Sequence, residues 1–399
     1  KFSNLYAEAI HGSGFGISSS NLRYNYPTIA NWRNLVIRKS NGNNKKFFED
    51  AGITCYHGFG HFISLNEISV GQNRISGEKF LLATGSVPKN AGISGIEHVE
   101  CQTPATVLNL NRPPKALFVI GGGSTGCEIA QYFAELGSKV LIADLTGRLL
   151  PREDKEIGET LGQYFSEHLG IKVLTSSRVV AVEQDSLSKR VIFMRGGQEK
   201  SVRVDAIVLA TGSKPALDFG LENIGIKFDR HGVRVDKTLQ TSLHHIYAAG
   251  DILGEDSSTE RASYEGLLAT SNAINRAKNI TNYNGFMRIT STDPEIVQIG
   301  LSEDDCVRRA RKCKKAIVYL PEIEASIIND FKFGFIKLLA DKQKKIIGAT
   351  IMAPQASLIA QEISLVIRHG LSAVELASTP HAVNSWSELI RQAARKLAA

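Results

Sequence analysis

The 399-residue chain is 43% apolar and carries 47 Lys and Arg against 40 Asp and Glu, which calls for two to four globular domains and excludes a disordered or fibrous chain. No window approaches the roughly 18 apolar residues of a spanning helix and no signal segment opens the chain, so no membrane contact and a cytoplasmic setting are expected. The formal charge of +7 is local: "RRARKCKK" (308–315) holds six basic residues, and 47 less six leaves 41 against 40 acidic. Lacking interleaved aromatics, that stretch reads as a solvated helical face, and no nucleic-acid partner is expected.

The first 75 residues are mixed, with a helical pattern in "IANWRNLVIRKS" and short alternating strands in "ITCYHGFGHFISL" and "NEISVGQNRI". His57 and His61 stand four apart in a Gly-rich, strand-like setting that gives them no common helical face, so no metal site is expected. "KFLLATGSVP" (79–88) is an apolar strand ending in Thr84 and Gly85, and "DAIVLATGSKP" (205–215) repeats the device at Gly212. Buried strands stopped by glycine open their C-terminal ends toward a ligand.

Between the repeats, "KALFVIGGGSTGCEIAQYFAELGSKVLIADLTGRLLP" reads as strand, Gly turn, helix, strand, one complete βαβ unit. Gly121, Gly123 and Gly126 have the GxGxxG spacing: the first for a tight turn, the second for backbone approach to a pyrophosphate, the third for close helix packing. The helix N-terminus offers free N–H groups to phosphate. Asp144 ends the next strand as an acceptor for ribose hydroxyls, which favours NAD over NADP; Arg148 nearby softens that preference. Cys127, at the start of the helix, reads as a buried, inert thiol.

"LQTSLHHIYAAGDIL" gives another strand ending in Gly250 and Asp251, with a helix through "ERASYEGLLATSNAI". From about residue 285 strands and helices alternate without another Gly-rich turn, which suggests a separate α+β domain. Five cysteines are scattered without CxxC or CxxxxC spacing, which argues against a disulfide framework or zinc ribbon.

These segments, in this order and with "TDPEIVQIGLSE", "GFIKLL", "IIGATIMAP" and the terminal "SWSE", resemble the FAD-dependent pyridine nucleotide-disulfide oxidoreductases, the group of dihydrolipoamide dehydrogenase, glutathione reductase and mercuric reductase. The resemblance covers essentially the whole chain. It implies an α/β fold with two Rossmann-like nucleotide-binding domains and a C-terminal α+β dimerisation domain. The FAD domain would comprise 1–107 and 216–284, the NAD(P)-binding domain 108–215 and the dimerisation domain 285–399.

The same resemblance assigns the Gly121–Gly126 turn and Asp144 to NAD(P)H, Glu128 to the neighbourhood of nicotinamide and flavin, Asp251 to the ribityl chain of FAD, and the Ala262 backbone to the flavin ring. The Gly-terminated strand ends at Thr84, Gly85, Gly212 and Gly250 complete the expected cofactor positions. It also implies a homodimer whose active site is completed across the two-fold axis.

The chain departs from the family pattern twice. The family's opening FAD-binding Gly turn and CxxxxC redox segment are absent, and the start at Lys1 rather than Met suggests sequence lost upstream; otherwise this form is degenerate. The family's His-Pro-Thr-x-Ser-Glu ending reads "HAVNSWSE" here: Glu388 is kept, Val383 takes the imidazole position and Asn384 the proline. The catalytic candidates are therefore Glu388 and, standing in for the imidazole, His381, which two residues earlier in what reads as an extended segment would be displaced by about 6.6 Å, beyond hydrogen-bond reach unless the loop shifts register or a water intervenes.

Three functions stay open: a reductase passing hydride from nicotinamide to flavin and on to a disulfide or small-molecule acceptor; a diaphorase or NADH oxidase without thiol chemistry; and a non-catalytic NAD-binding dimer. Mercuric reductase's extra C-terminal cysteine pair is missing, so the acceptor is open too.

Overall fold

A computed structural model describes residues 2–11, 22–89, 91–185, 187–254, 258–275 and 277–399. Lys1, on which the reading of the chain's start rests, lies outside the described residues. The chain forms two compact units, 1–30 with 90–211 and 284–399, and 31–89 with 212–283.

The first unit holds a four-stranded parallel sheet in the order Ala206–Leu209, Ala116–Ile120, Lys139–Ala143, Lys172–Leu174. "ALFVI" is an unbroken apolar run because both faces are covered: Leu117, Phe118 and Val119 are fully buried. The helix Ser124–Glu135 lays Cys127, Ile129, Ala130 and Phe133 against this sheet, at the spacing of one helical face. Beside it lies a three-stranded antiparallel sheet of Ser177–Gln184, Lys189–Arg195 and Gln198–Val204.

Residues 284–399 of the same unit form a five-stranded antiparallel sheet in the order Met287–Thr290, Glu295–Gly300, Ile346–Ala353, Phe335–Ala340, Lys314–Tyr319. The helices Ala356–His369 and Glu388–Ala398 share a core with it, through Ala360, Ile363, Leu389, Ile390 and Ala393. This is the α+β character expected of the C-terminal segment.

The second unit pairs Phe80–Leu82 with Ile246–Ala248 in parallel and Ser86–Pro88 with Ser213–Pro215 antiparallel. A meander of Gly60–Ser64, Glu67–Val70 and Asn73–Ser76 and the helix Thr259–Asn275 complete it.

Local expectations fail in four places. The helix read at 29–40 runs from Tyr26 to Asp50, with Pro27 in the first turn, where its missing N–H costs nothing. "ITCYHGF" stays irregular, and the strand begins only at Gly60. A helix over Phe2–His11 has no counterpart in the sequence reading.

The fourth concerns "RRARKCKK", which is not a helical face. The helix Glu303–Arg308 stops there, Ala310 takes a left-handed φ of 50°, and Lys314–Tyr319 is a strand. Ala316 and Val318 are buried with the period of two of a sheet, and that alternation overrides the helical charge pattern. The charges are nonetheless solvated, and Arg308, Arg311 and Lys315 pair with Asp305, Asp341 and Glu303.

Candidate nucleotide-binding and proton-transfer sites

The three glycines of the first turn answer to different demands. Gly121 has a φ of 113°, and a Cβ there would lie 2.3 Å from the Ala210 carbonyl oxygen; one on Gly126 would lie 1.9 Å from the Gly121 oxygen. Both are fixed by the chain's own packing. Gly123, the residue preceding the helix Ser124–Glu135, has an ordinary φ of −73° and nothing within 4 Å of its Cβ position. No side chain caps this helix start, so its first-turn N–H groups stand open to an anion.

Asp144 closes the turn from the next strand. Its Oδ2 accepts from the Gly122 N–H at 2.6 Å, and its Oδ1 from the Thr146 N–H at 2.8 Å and hydroxyl at 2.6 Å. Oδ1 is filled by its two bonds from Thr146, but Oδ2 keeps a second lone pair, so the group holds the turn and can still accept from a ribose. Arg148 is committed elsewhere: its guanidinium donates to the Pro151 and Glu153 carbonyls and pairs with Asp304 at 3.2 Å.

Glu128 sits one turn further along the helix, where its Oε1 accepts from the Ser291 N–H at 2.7 Å. Burial raises its pKa and this hydrogen bond opposes the rise. Gln131, on the same face, exchanges hydrogen bonds with the Asp293 backbone at 2.8 and 3.0 Å. Sequence reasoning missed Gln131, Ser291 and Asp293; nothing in their local pattern announces partners some 160 positions away. Cys127 is fully buried, with its thiol driven well above the ordinary range by desolvation and then by Asp144 and Glu128.

In the second unit Asp251 follows its strand as expected. The Ser86 hydroxyl donates to Oδ2 at 2.8 Å, and among the described residues no donor reaches Oδ1, which leaves an acceptor for a polyol hydroxyl. The Thr84 hydroxyl donates to the Ala216 carbonyl at 3.0 Å. Gly85 and Gly212 have φ of 71° and 89°, with open space at their Cβ positions.

Gly250, at φ 79°, lies against Ala262: a Cβ there would approach the Ala262 Cβ to 3.2 Å. Its N–H donates at 2.8 Å to Glu265, a carboxylate 1% exposed that also takes Arg261 at 2.6 Å and the Tyr283 hydroxyl at 2.7 Å. Nothing in its local pattern marks Glu265, which looks like one more helical acid. Burial and this carboxylate push the Tyr283 phenol up to about 12.

The C-terminal turn corrects the expected geometry. The chain is not extended through Val383; it turns there, with Asn384 at φ 56° and the Ser385 hydroxyl donating to the Ala382 carbonyl at 2.8 Å. Val383 is 72% exposed. The His381 ring is buried, with Nδ1 2.8 Å from the Thr379 carbonyl oxygen and Nε2 3.2 Å from a Glu362 carboxylate oxygen, outside hydrogen-bond alignment.

Glu388 instead accepts from Arg391 at 2.8 Å, and its Oε2 is buried without a partner. Among the described residues no hydrogen bond or ion pair joins His381 to Glu388. The imidazole's carboxylate is Glu362, which the sequence did not single out.

Known proteins agree with this architecture. The LpdA structure from Mycobacterium tuberculosis superposes with a TM-score of 0.88 at 22% identity, over 100% of this chain and 88% of that one. The HOCl-induced flavoprotein disulfide reductase RclA from Escherichia coli gives 0.83 at 23%, over 92% and 85%. In sequence, a mercuric reductase of Bacillus cereus is 30% identical over 92% of this chain and 58% of its own length. A dihydrolipoyl dehydrogenase of Geobacillus stearothermophilus is 29% identical over 98% and 84%.

The chain spans 58–64% of the length of the mercuric reductases it matches in Bacillus cereus, Staphylococcus aureus and Lysinibacillus sphaericus. Residues 7–277 match the family described as pyridine nucleotide-disulphide oxidoreductase and residues 286–394 its dimerisation domain. With the Gly turn, the parallel sheet and the C-terminal α+β segment in the matching order, the chain belongs to the pyridine nucleotide-disulphide oxidoreductase family.

Proposed function

We propose that this chain carries the nucleotide-binding and dimer-forming parts of a FAD-dependent NAD(P)H oxidoreductase, with hydride passing from nicotinamide to flavin and on to a disulfide or another small acceptor. The observation that carries the reading is Gly123. Its backbone needs no glycine and no neighbour crowds it, so the space beside this uncapped helix start is open to a pyrophosphate.

In this reading Asp144 positions the adenosine ribose, and the commitment of Arg148 to Asp304 favours NAD over NADP. Glu128, held by Ser291, orients the nicotinamide end. Asp251, Thr84, Gly85, Gly212, Gly250 and the Ala262 backbone hold FAD, with Glu265 fixing the Gly250 turn. The division into FAD-binding residues 1–107 and 216–284, NAD(P)-binding residues 108–215 and dimerisation residues 285–399 is part of the proposal.

The C-terminal turn favours a second reading, in which reduced flavin passes its electrons directly to a quinone, dye or oxygen. His381 is tied to Thr379 and Glu362 while Val383 holds the exposed position. One experiment separates the readings. Protein supplied with FAD is expected to be yellow and to bleach on anaerobic NADH, and turnover is then followed with added acceptors. Sustained NADH oxidation with a small-molecule disulfide supports the disulfide reductase; turnover with a quinone, dye or oxygen but not with a disulfide supports direct transfer; protein that stays colourless overturns both.

The dimer is supported by the helix Ala356–His369. It buries Ala356, Ala360, Ile363 and Val366 but leaves Leu358 and Leu365, two turns apart on one face, 66% and 59% exposed. Two leucines held out on one helix face fit burial against a second copy of the domain. Leu365→Glu is expected to convert a dimer into a monomer in sedimentation velocity. An unchanged dimer would place the interface elsewhere.

A further inference from the structure

We propose that Gln131 is a positioning residue for Glu128: it clamps the backbone at Asp293 so that the Ser291 N–H stays aimed at the Glu128 carboxylate. The clamp is read from this chain's own hydrogen bonds; that it serves a bound nicotinamide rests on the function proposed above.

Residues 291–294 connect the antiparallel strands Met287–Thr290 and Glu295–Gly300, and the strand pair nearest to them is Thr290 with Ile296. A connection has no sheet partner of its own, so its backbone N–H and C=O groups need others. Gln131 supplies two of them from the helix Ser124–Glu135. Its side-chain amide donates to the Asp293 carbonyl at 2.8 Å and accepts from the Asp293 N–H at 3.0 Å. The amide's second N–H donates to Glu135 Oε1 at 2.7 Å, which holds the group the right way round. Gln131 is buried with its oxygen and both N–H groups engaged.

Two residues before Asp293, the Ser291 N–H donates to Glu128 Oε1 at 2.7 Å. Glu128 precedes Gln131 by three positions, so the two side chains leave one helix face and meet the same short connection. Asn4 also holds Asp293, but through the side-chain Oδ2 at 2.9 Å, which leaves the backbone to Gln131. The described charged groups on the elements packed against this helix are Glu8, Lys139, Asp144 and Arg288, with Glu135 and Asp293 at the clamp. Arg288 is paired with Glu153 at 2.9 Å. Among the described residues only the Ser291 N–H donates to Glu128.

Without the amide, the Asp293 N–H and C=O both lose their partners, and the connection must move to replace them. Ser291 moves with it. Glu128 then keeps the cost of burial without the hydrogen bond that opposes it, and it titrates at higher pH than in the wild type. A carboxylate that must be ionised to orient the nicotinamide end is then neutral over a wider range of acid pH.

Amide hydrogen exchange resolved to single residues tests the clamp with no cofactor present. In Gln131→Met, which keeps the side chain's length, the Ser291 amide is expected to exchange about tenfold faster, the worth of one hydrogen bond, while the helix amides keep wild-type protection. Gln131→Asn keeps a polar group at the site but withdraws it by one carbon, and it decides the matter if the methionine loosens the helix. Glu128→Ala should free Ser291 and leave Asp293 protected. Ser291 as slow as in the wild type while Asp293 is freed overturns the proposal. With FAD bound, the acid limb of flavin reduction by NADH should move to higher pH in Gln131→Met, and the move should vanish when Glu128→Gln is added. A freed Ser291 with an unmoved acid limb supports the clamp and overturns the placement of Glu128 at the nicotinamide.

Discussion

Gly123→Val is expected to weaken NADH binding strongly while leaving the melting temperature where it is. The backbone at Gly123 is in a region every residue adopts, and its Cβ position has nothing within 4 Å, so the fold has no objection to the branched side chain. A bound pyrophosphate does, because the valine occupies the approach to the helix N–H groups. Losing one charge-assisted hydrogen bond is worth roughly 1.5–3 kcal/mol, so Kd should rise about ten- to a hundredfold.

Gly126→Ala supplies the contrast. Its methyl would stand 1.9 Å from the Gly121 oxygen, and the turn must move, so stability falls together with binding. Calorimetric titration with NADH beside thermal melts reads both. Unchanged affinity in Gly123→Val would remove the main support for a dinucleotide at this turn.

The difference between these two glycines also shows what the sequence can carry. The string GGGSTG between an apolar strand and an amphipathic helix announces a βαβ unit, because strand burial, turn and helix face are all local patterns. Which glycine serves the fold and which serves a ligand is not local. It depends on Ala210, about 90 positions downstream, and on the emptiness around Gly123.

The same holds at the C-terminus. The resemblance puts Val383 of "HAVNSWSE" where the family has an imidazole, but the carboxylate beside His381 is Glu362 on another helix, and the turn that separates His381 from Glu388 depends on Asn384 accepting a left-handed φ. "RRARKCKK" misled in the other direction. Its charges mimic a solvated helix, while the strand is specified by buried Ala316 and Val318 just beyond.

Lys337 is the extreme case, and its removal is expected to be the most destabilising single change described here. Lysine is among the residue types rarest in a core, yet Lys337 is 0% exposed. Its ammonium meets Glu156 at 2.7 Å, Asp154 at 3.0 Å and Glu303 at 3.2 Å, carboxylates that come from residues 154–156 and 303. Asp154 is itself 1% exposed; it also takes the Thr350 hydroxyl at 2.6 Å and the Glu303 N–H at 2.9 Å. Lys337→Met keeps the apolar stem and deletes the charge, leaving Asp154 buried without its cation. Breaking a buried pair this way costs about 3–5 kcal/mol, or a fall in melting temperature of roughly 6–20 °C for a unit of this size.

The pH dependence gives an independent check. Burial tends to raise the Glu303 pKa, but hydrogen bonds from Lys315 and Lys337 outweigh it and hold the group below its ordinary 4.5. A depressed carboxylate stabilises the fold above its unfolded pKa and loses that contribution as pH falls through the folded value. Lys337 is raised above its ordinary 10.5, because Glu156 and Asp154 overcome the cost of burying it, so its contribution is lost only as pH climbs through that higher value. The cluster therefore stabilises most between these limits. Wild type should lose stability steeply with acid below about 4.5, and Lys337→Met should be less stable at neutral pH with a shallower acid limb, because Glu303 has lost one of its two lysines. Denaturant unfolding across pH measures both, and a variant that matches wild type at neutral pH would show that the buried ion cluster is not what joins these segments.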